Sequence, residues 1–309
     1  MFDSMEKRLL VEDHIRRNKR LTIVICTFMA FLFLGLILAV GYILFNGNII
    51  ISLIFGIPIA LGYIAITYSF SIQTVLSAAK ARPANPRIRE EKLLIYKVEE
   101  MSIAAGLPTP KVYVQDSDNI NAFATGKKPE NSVICVTTGA LQKLKTDELE
   151  GVMAHEMSHI KNNDILIATV TIAVVGAIAL ISEILFWSLI FGGGSRGGRR
   201  GEGNAILIVI AILFAILAPI FARLTYLAIS RKREYLADSN GAYLTRNPEG
   251  LAKALEKIKT DHPKGKPKGS KTVAPLYISN PFKKSASGRG SVWATHPPLD
   301  ERIRRLRSM

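Results

Sequence analysis

The chain has 309 residues, of which 49% are hydrophobic, and it carries a formal net charge of +15. Its two cysteines, Cys26 and Cys135, lie inside apolar runs without metal-ligand or disulfide spacing, which argues against a disulfide-rich fold and a cysteine metal site. The positive residues are scattered or flank apolar runs, and no base-stacking aromatic motif accompanies them. This pattern predicts no nucleic-acid binding and favours attraction to an anionic lipid bilayer.

Four long apolar runs dominate the chain. Spanning a bilayer core takes ~20 apolar residues in a helix, and every run has that length. The first run lacks the short apolar region and cleavage site of a signal peptide. Four transmembrane helices in two hairpins are therefore predicted in preference to buried core helices. The runs are Leu21–Phe45, Ile49–Phe70, Ile165–Phe191 and Ala205–Ile229.

The distribution of positive residues predicts how these helices are oriented. Lys and Arg precede the first run and follow the second and fourth, whereas three arginines in the Gly192–Asn204 loop are the exception. The positive-inside rule therefore places both termini and the soluble part in the cytoplasm, at the plasma membrane. Glu183, late in the third run, is predicted to snorkel to the far interface, and an intramembrane functional carboxylate is the alternative.

The polar segments predict a predominantly helical α+β domain with a small β-sheet. An amphipathic helix over Arg89–Ala105 ends at a Gly-Leu-Pro terminator. Three short strands follow, and Gly126–Pro129 forms a hairpin turn between the last two. The predicted strands are Lys111–Gln115, Ile120–Thr125 and Ser132–Thr138.

Helices are predicted in the rest of the polar sequence, interrupted by one long loop. A start signal at Thr146 opens a helix, and Asn247-Pro248 opens another through about Lys259. Asp261–Ser291 is rich in Lys, Gly, Pro and Ser, which predicts a long irregular loop that is partly mobile. Two further helices are predicted over 231–244 and 300–309.

The stretch AHEMSHIKNND, Ala154 to Asp164, places two histidines four residues apart around a glutamate. On a helix, His155 and His159 lie on one face and can bind one Zn²⁺ through neutral imidazoles. Glu156 is turned ~100° around the helix and would face the attacking water rather than the metal. An ordinary surface helix that carries two histidines is the alternative.

A catalytic zinc needs a third protein ligand. No histidine follows in H-x-x-G-x-x-H order, so a carboxylate from another helix is indicated. The stretch REYLADSNGA offers Glu234 and Asp238, which lie four residues apart and so on one helix face. Glu234 would complete the metal site, and Asp238 would contact the outer nitrogen of His155. The second hairpin would bring both helices to one membrane face.

Together, AHEMSHIKNND, REYLADSNGA and THPPLDERIRRL resemble the HtpX family of integral-membrane zinc metallopeptidases, which is related to the CAAX prenyl endopeptidases. The resemblance covers nearly the whole chain. It implies a gluzincin-like endopeptidase with one Zn²⁺, a zincin-like cytoplasmic domain, and a stress-response role in degrading misfolded or damaged membrane proteins. The implied organisation is a first hairpin segment (1–75), a first peptidase part (76–163), a second hairpin (164–230) and a second peptidase part (231–309).

The resemblance also implies roles for residues outside the metal motif. His296 in THPPLDER would hold the substrate carbonyl or oxyanion, and Arg302 would support the site, although a surface histidine is the alternative. NAFATG resembles the family's edge strand beside the zinc, with which an extended substrate would pair. An ordinary core strand is the alternative there. The implied substrate-binding residues are Asn121, Ala122, Phe123, Ala124 and Thr125.

Two other functions remain open at this point. A CAAX-type processing protease would use the same metal site, but only four spans and no large enclosed chamber are predicted. A non-enzymatic membrane scaffold with a structural zinc would need a fourth protein ligand, for which His14 and His262 are available. No oligomeric state is predicted.

Overall fold

The structure, a computed structural model, describes most of the polar part of the chain. The first, third and fourth predicted apolar runs lie largely outside the described residues, as does the Gly192–Asn204 loop. Within the described part, no helix combines the length and apolarity needed to cross a membrane, so the four predicted spans are not confirmed. The described residues are 48–166, 233–262, 268–269, 271–280 and 296–309, with scattered positions in 20–41 and 178–220.

The chain divides into two compact units. In the first unit, Leu36 and Ile37 are buried, and Ile37 lies against Gly56. The second unit contains the β-sheet and every predicted metal ligand, so two distant segments of the chain build one domain. The first unit joins Met1–Ser69 with Val170–Tyr226, and the second joins Phe70–Thr169 with Leu227–Met309.

A mixed sheet forms one layer of the second unit. Its strands are β1 (Ala81–Pro83), β2 (Lys111–Gln115), β3 (Ala122–Thr125) and β4 (Val133–Thr137). The order is β1-β2-β4-β3, with β2 and β4 parallel and the two outer strands antiparallel to their neighbours. The sequence predicted β2, β3 and β4 but missed β1, whose three residues end in proline. β3 is therefore an edge strand.

Helices make up the rest of the described fold. The predicted helix over Arg89–Ala105 is confirmed with those bounds. Thr138 was predicted as the end of a strand, but it begins a short helix because the Thr137 side chain accepts a hydrogen bond from the N–H of Ala140. The helices are α1 (Ile49–Ala79), α2 (Arg89–Ala105), α3 (Thr138–Lys143), α4 (Thr146–Lys161), α5 (233–245), α6 (Pro248–Thr260) and α7 (Leu299–Arg307).

The helix α4 carries the H-E-x-x-H motif and is buried along most of its length. Its first turn is closed by Glu148, whose Oε2 accepts the Lys145 N–H at 2.7 Å. Apolar residues at helical spacing then pack it against α2, α6 and β3. The crossing with α6 is close at Gly151, where a Cβ atom would lie 2.6 Å from the Leu251 nitrogen. The motif is thus held by the core on several sides.

The prediction of a long irregular loop over Asp261–Ser291 is wrong for residues 271–280. A 3₁₀ turn forms at Lys271–Leu276, and Val273, Tyr277 and Ile278 are buried. The Tyr277 ring packs edge-on against Phe123, with ring centroids 5.1 Å apart. The basic and glycine-rich flanks dominate the composition of this region, but the apolar residues between them bury enough surface to fix the segment on the sheet.

Candidate metal centre

His155 and His159 lie on one face of α4, as their spacing predicts, and both imidazoles are directed to one point. Their Nε2 atoms are 3.2 Å apart, and the two rings are nearly perpendicular. His155 is 1% exposed, and the His159 side chain is 15% exposed. The surface-helix alternative is therefore wrong, because both rings are directed inward.

Glu234 reaches the same point from α5. Its Oε2 lies 3.7 Å from the His155 Nε2, and its Oε1 lies 3.6 Å from the His159 Nε2. The two helices can approach this closely because α5 has Gly241 at the crossing, where a Cβ atom would lie 3.1 Å from the backbone nitrogen of His155. The predicted convergence of the three residues is present in the structure.

These three side chains fit a zinc ion. Donors from all three can lie within 4.8 Å of one another, which makes them the one such group of His, Cys, Asp and Glu among the described residues. Two nitrogens bound to one tetrahedral Zn²⁺ would stand about 3.3 Å apart, close to the separation of the two Nε2 atoms. Glu234 Oε2 is buried and makes no well-aligned hydrogen bond among the described residues, although Arg302 and His296 lie 3.2 and 3.3 Å from it, so the carboxylate is held by positive groups while facing the two imidazoles.

Asp238 and Arg302 support His155 from behind. The Asp238 Oδ1 lies 3.0 Å from the outer nitrogen, Nδ1, of His155, at the predicted position. The Arg302 Nε and Nη2 donate to the two Asp238 oxygens at 2.8 and 2.7 Å, and its Nη1 lies 3.2 Å from Glu234 Oε2. All three residues are buried. Burial raises the pKa of Asp238, but the Arg302 charge and the hydrogen bonds from His155 and Arg302 outweigh burial, so the pKa lies below its usual value.

His159 has a carboxylate partner that the sequence analysis missed. Its Nδ1 lies 3.0 Å from Asp164 Oδ2, and Asp164 is 6% exposed. Burial lowers the pKa of His159, but the bond to Asp164 and the charges of Glu234, Asp164 and Glu156 outweigh it and raise the pKa to about 9. The signal was present in HIKNND, where an Asn-Asn turn places an aspartate shortly after the second histidine.

Glu156 is buried beside the three candidate ligands but is not one of them. Burial raises its pKa to about 7, with the Glu234 charge adding to the rise and the His159 and Arg302 charges opposing it. The backbone N–H of Ala124 in β3 also opposes the rise. A carboxyl group with a pKa near neutrality can both accept and return a proton.

His296 lies at the same centre although it belongs to the far end of the chain. Its Nδ1 is 3.3 Å from Glu234 Oε2, and its side chain is 10% exposed, so it is not an ordinary surface histidine. Both of its ring nitrogens are buried and without a hydrogen-bond partner among the described residues. Burial raises the pKa of Glu234, but the charges of His296, Arg302 and His159 bring it well below its usual range.

The predicted substrate strand, Asn121–Thr125, lies along this centre but is half covered. Alternation in an antiparallel pair directs the N–H and C=O groups of Ala122 and Ala124 away from β4. The N–H of Ile278 donates to the Ala122 oxygen at 3.0 Å, and the Asn121 side chain bonds to the Ser279 oxygen at 2.6 Å. The outer edge is therefore occupied at its first half, which the sequence did not predict.

Comparisons with known proteins agree with this geometry. The profile described as peptidase family M48 matches residues 89–309, which include all three candidate ligands. The chain belongs to peptidase family M48. Proteins named Protease HtpX homolog match nearly the full length of the M48 chain. The one from Thermoanaerobacter pseudethanolicus is 40% identical over 99% of both chains. The one from Dictyoglomus thermophilum is 44% identical over 96% of this chain and 94% of its own.

A structural comparison supports the same fold. The crystal structure of S. mikatae Ste24p aligns with 97% of this M48 chain and 66% of its own, at a TM-score of 0.50 and 20% identity. At that identity the likeness shows the fold alone. The resemblance to the HtpX family is confirmed, and the protein is an HtpX-type metallopeptidase of family M48.

Family membership removes the scaffold alternative, because M48 proteins are peptidases. Of the two histidines considered as a fourth ligand, His262 is exposed and is not part of the cluster, and His14 lies outside the described residues. Cys135 is buried, and burial and the Glu156 charge raise the pKa of its thiol, which makes it unsuited to bind metal as a thiolate.

Proposed function

We propose that this metallopeptidase binds one Zn²⁺ through His155, His159 and Glu234 and hydrolyses peptide bonds with Glu156 as general base. The observation that carries the proposal is the opposed direction of the ring nitrogens. Both Nε2 atoms face Glu234, whereas the two Nδ1 atoms point the other way, toward Asp238 and Asp164. A carboxylate on the outer nitrogen is the usual support of a zinc-bound histidine.

The chain's own groups divide the work of hydrolysis. When held by His155, His159 and Glu234, a zinc ion would supply Lewis-acid chemistry, lowering the pKa of water and polarising the scissile carbonyl. Glu156, whose pKa of about 7 suits proton exchange, accepts a proton from the attacking water and returns it to the departing amine. His296 has two nitrogens without hydrogen-bond partners among the described residues, so it can donate to the oxygen that develops negative charge. Arg302 holds Asp238 and Glu234 in place.

Substrate binding is proposed at the uncovered half of β3. Because Ile278 already occupies the Ala122 oxygen, an extended substrate would pair with the main chain from Ala124 onward. Main-chain pairing of this kind tolerates many substrate sequences. Asn121 and Phe123 would act indirectly, since their side chains hold the 277–279 segment.

We also propose that the enzyme is a multi-pass plasma-membrane protein that faces the cytoplasm and degrades damaged membrane proteins. The support is in the sequence, where apolar runs of membrane-spanning length precede Arg233 and follow Asp164. A site flanked by membrane segments would act on chains near the bilayer surface. Sucrose-gradient flotation of cell membranes tests the location, and recovery of the full-length chain in the soluble fraction would contradict it.

The test of the enzymatic proposal is Glu156→Gln in the detergent-purified full-length chain. The variant keeps the three ligands, so it should retain one zinc per chain by mass spectrometry while cleavage of unfolded casein falls at least about a thousandfold. The matched control is Glu150→Gln, on the same helix and paired with Lys97 away from the site, which should cleave normally. Undiminished cleavage by the Glu156 variant would overturn the proposal.

A further inference from the structure

Asp164 contacts the outer nitrogen of His159 in a buried setting. Its Oδ2 lies 3.0 Å from the His159 Nδ1, and its side chain is 8% exposed. An ionised carboxylate can only accept, so the imidazole Nδ1–H is the donor. In the neutral imidazole, which is the form that binds a metal, this places the lone pair on Nε2, the nitrogen that lies 3.2 Å from its counterpart on His155. Asp164 thus favours the tautomer that presents Nε2 for binding.

The chain makes this contact through a tight turn. The helix α4 ends at Lys161 with Asn162 as its C-cap. Asn163 then adopts the left-handed region with φ of +57°, a conformation that asparagine tolerates better than most residues. The turn folds Asp164 back over the last turn of α4, beside His159.

The arrangement mirrors the support of the other histidine. Asp238 lies 3.0 Å from the Nδ1 of His155 and comes from α5, in the second half of the domain. Asp164 lies at the same distance from His159 but comes from the stretch that directly follows α4. Each imidazole therefore has its own buried carboxylate, supplied by a different part of the chain.

We propose that Asp164 is the positioning residue of His159: it orients the ring and fixes the tautomer in which Nε2 binds the metal. The inference rests on the zinc site proposed above. It gives Asp164 a role in metal affinity, although Asp164 lies outside the H-E-x-x-H, Glu-x-x-x-Asp and H-P-P motifs. Loss of such an outer carboxylate typically weakens metal binding 10–100-fold.

A second role for Asp164 predicts a different outcome. Residues 164–166 are helical, and an aspartate at the start of a helix can accept hydrogen bonds from free backbone N–H groups. The rival explanation is that such capping is the whole role of Asp164. Three substitutions separate the two roles. Asp164→Asn keeps an oxygen that can accept the Nδ1–H and can also cap. Asp164→Ser keeps a capping oxygen on a side chain one atom shorter, and Asp164→Ala removes both.

The experiment measures the zinc dissociation constant of each full-length variant in detergent by competition with a chromophoric chelator. We expect a 10–100-fold weaker affinity for Asp164→Ala and Asp164→Ser and recovery of most of the affinity in Asp164→Asn. The visible spectrum of the Co²⁺-loaded protein should change in the same order, because it reports the ligand geometry directly. The matched control, Asp147→Ala, removes an exposed aspartate from α4, the helix that carries His159, and should bind zinc as the native chain does.

Each result decides the question. Native zinc affinity in Asp164→Ala, or recovery by Ser equal to that by Asn, would overturn the positioning role while leaving the zinc site intact. If Asp164→Ala does not fold, the comparison of Asn with Ser decides alone. A native chain that binds no zinc would overturn the proposed function together with this inference.

Discussion

His155 and His159 are one helical turn apart on the same buried helix, yet their environments shift the pKa in opposite directions. Burial, with the charges of His159 and Arg302, lowers the pKa of His155 against the pull of Asp238. For His159, the bond to Asp164 and nearby carboxylate charges outweigh burial and raise the pKa to about 9. Helical spacing sets where both imidazoles lie, whereas charges from other segments set how tightly each holds a proton.

The physical origin of the difference is the countercharge. Asp238 forms two hydrogen bonds with the fully buried Arg302, so its charge is largely balanced before it acts on His155. Among the described residues, the recorded ion-pair partner of Asp164 is His159. The charge of Asp238 on the His155 side is therefore balanced by Arg302, whereas Asp164 acts on His159 together with the charges of Glu234 and Glu156.

Removing the buried cation should have the largest effect on stability. Arg302→Met leaves Asp238 and Glu234 buried without their shared partner and should cost about 3–5 kcal/mol in the zinc-free protein. Arg302→Lys should recover less than half of this loss, because an ammonium group cannot make the paired contacts of a guanidinium. Denaturant unfolding in detergent with a chelator present measures both values.

The control for this prediction is Arg304→Met on the same helix, where the side chain is 76% exposed and the change should stay within about 0.5 kcal/mol. Asp164→Asn should cost less than Arg302→Met because His159 can release its proton and become neutral, whereas the carboxylates left by Arg302→Met are harder to neutralise. Equal stability of Arg302→Met and the native chain would contradict the balancing of charge by Arg302.

A pH series on the zinc-free protein should show how strongly the buried centre also shifts the pKa of Glu156. Its pKa of about 7 lies above the model-compound value of 4.5, so the folded state binds its proton more tightly than the unfolded state. That stabilisation is complete below pH 4.5 and is lost as the pH rises to about 7. Relative to Glu156→Gln, the native chain should lose about 3 kcal/mol of unfolding free energy over this interval. Parallel pH profiles of the two proteins would contradict the shift.

A small change in how closely α5 approaches α4 should shift Glu234 and Asp238 relative to the two imidazoles. Gly241→Ala places a Cβ atom 3.1 Å from the backbone nitrogen of His155 and should separate α5 from α4 by a few tenths of an ångström. We expect zinc affinity to fall by several-fold, although alanine favours a helix by ~1 kcal/mol over glycine. Gly62→Ala, where nothing lies within 4 Å of the added atom, is the control. Unchanged zinc affinity would show that the crossing is not tight.

The sequence predicted what depends on local spacing. The helix α2 and strand β2 have the predicted bounds because a glycine terminator and a short β-branched run mark them. The convergence of the two histidines with Glu234 followed from helix geometry and the resemblance. Asp238 lies where the spacing of REYLADSNGA predicted, and Arg302 lies where the resemblance implied.

What the sequence did not predict depends on contacts between distant segments. The strand β1 is too short to be recognised, and it exists because it pairs with β2. The 271–280 segment is buried by contacts with Phe123 and Ala122, which no local composition reveals. Asp164 was read only as the end of a motif, since a left-handed Asn163 is needed to turn it back.

X-ray absorption at the zinc edge of the purified, zinc-loaded protein would identify the metal ligands. We expect two imidazole nitrogens and carboxylate or water oxygens around one zinc, with one imidazole lost in His159→Ala and no imidazole lost in His296→Ala. Three imidazoles in the native protein, or a count that falls on changing His296, would contradict the assignment of Glu234 as the third ligand and His296 as a substrate contact.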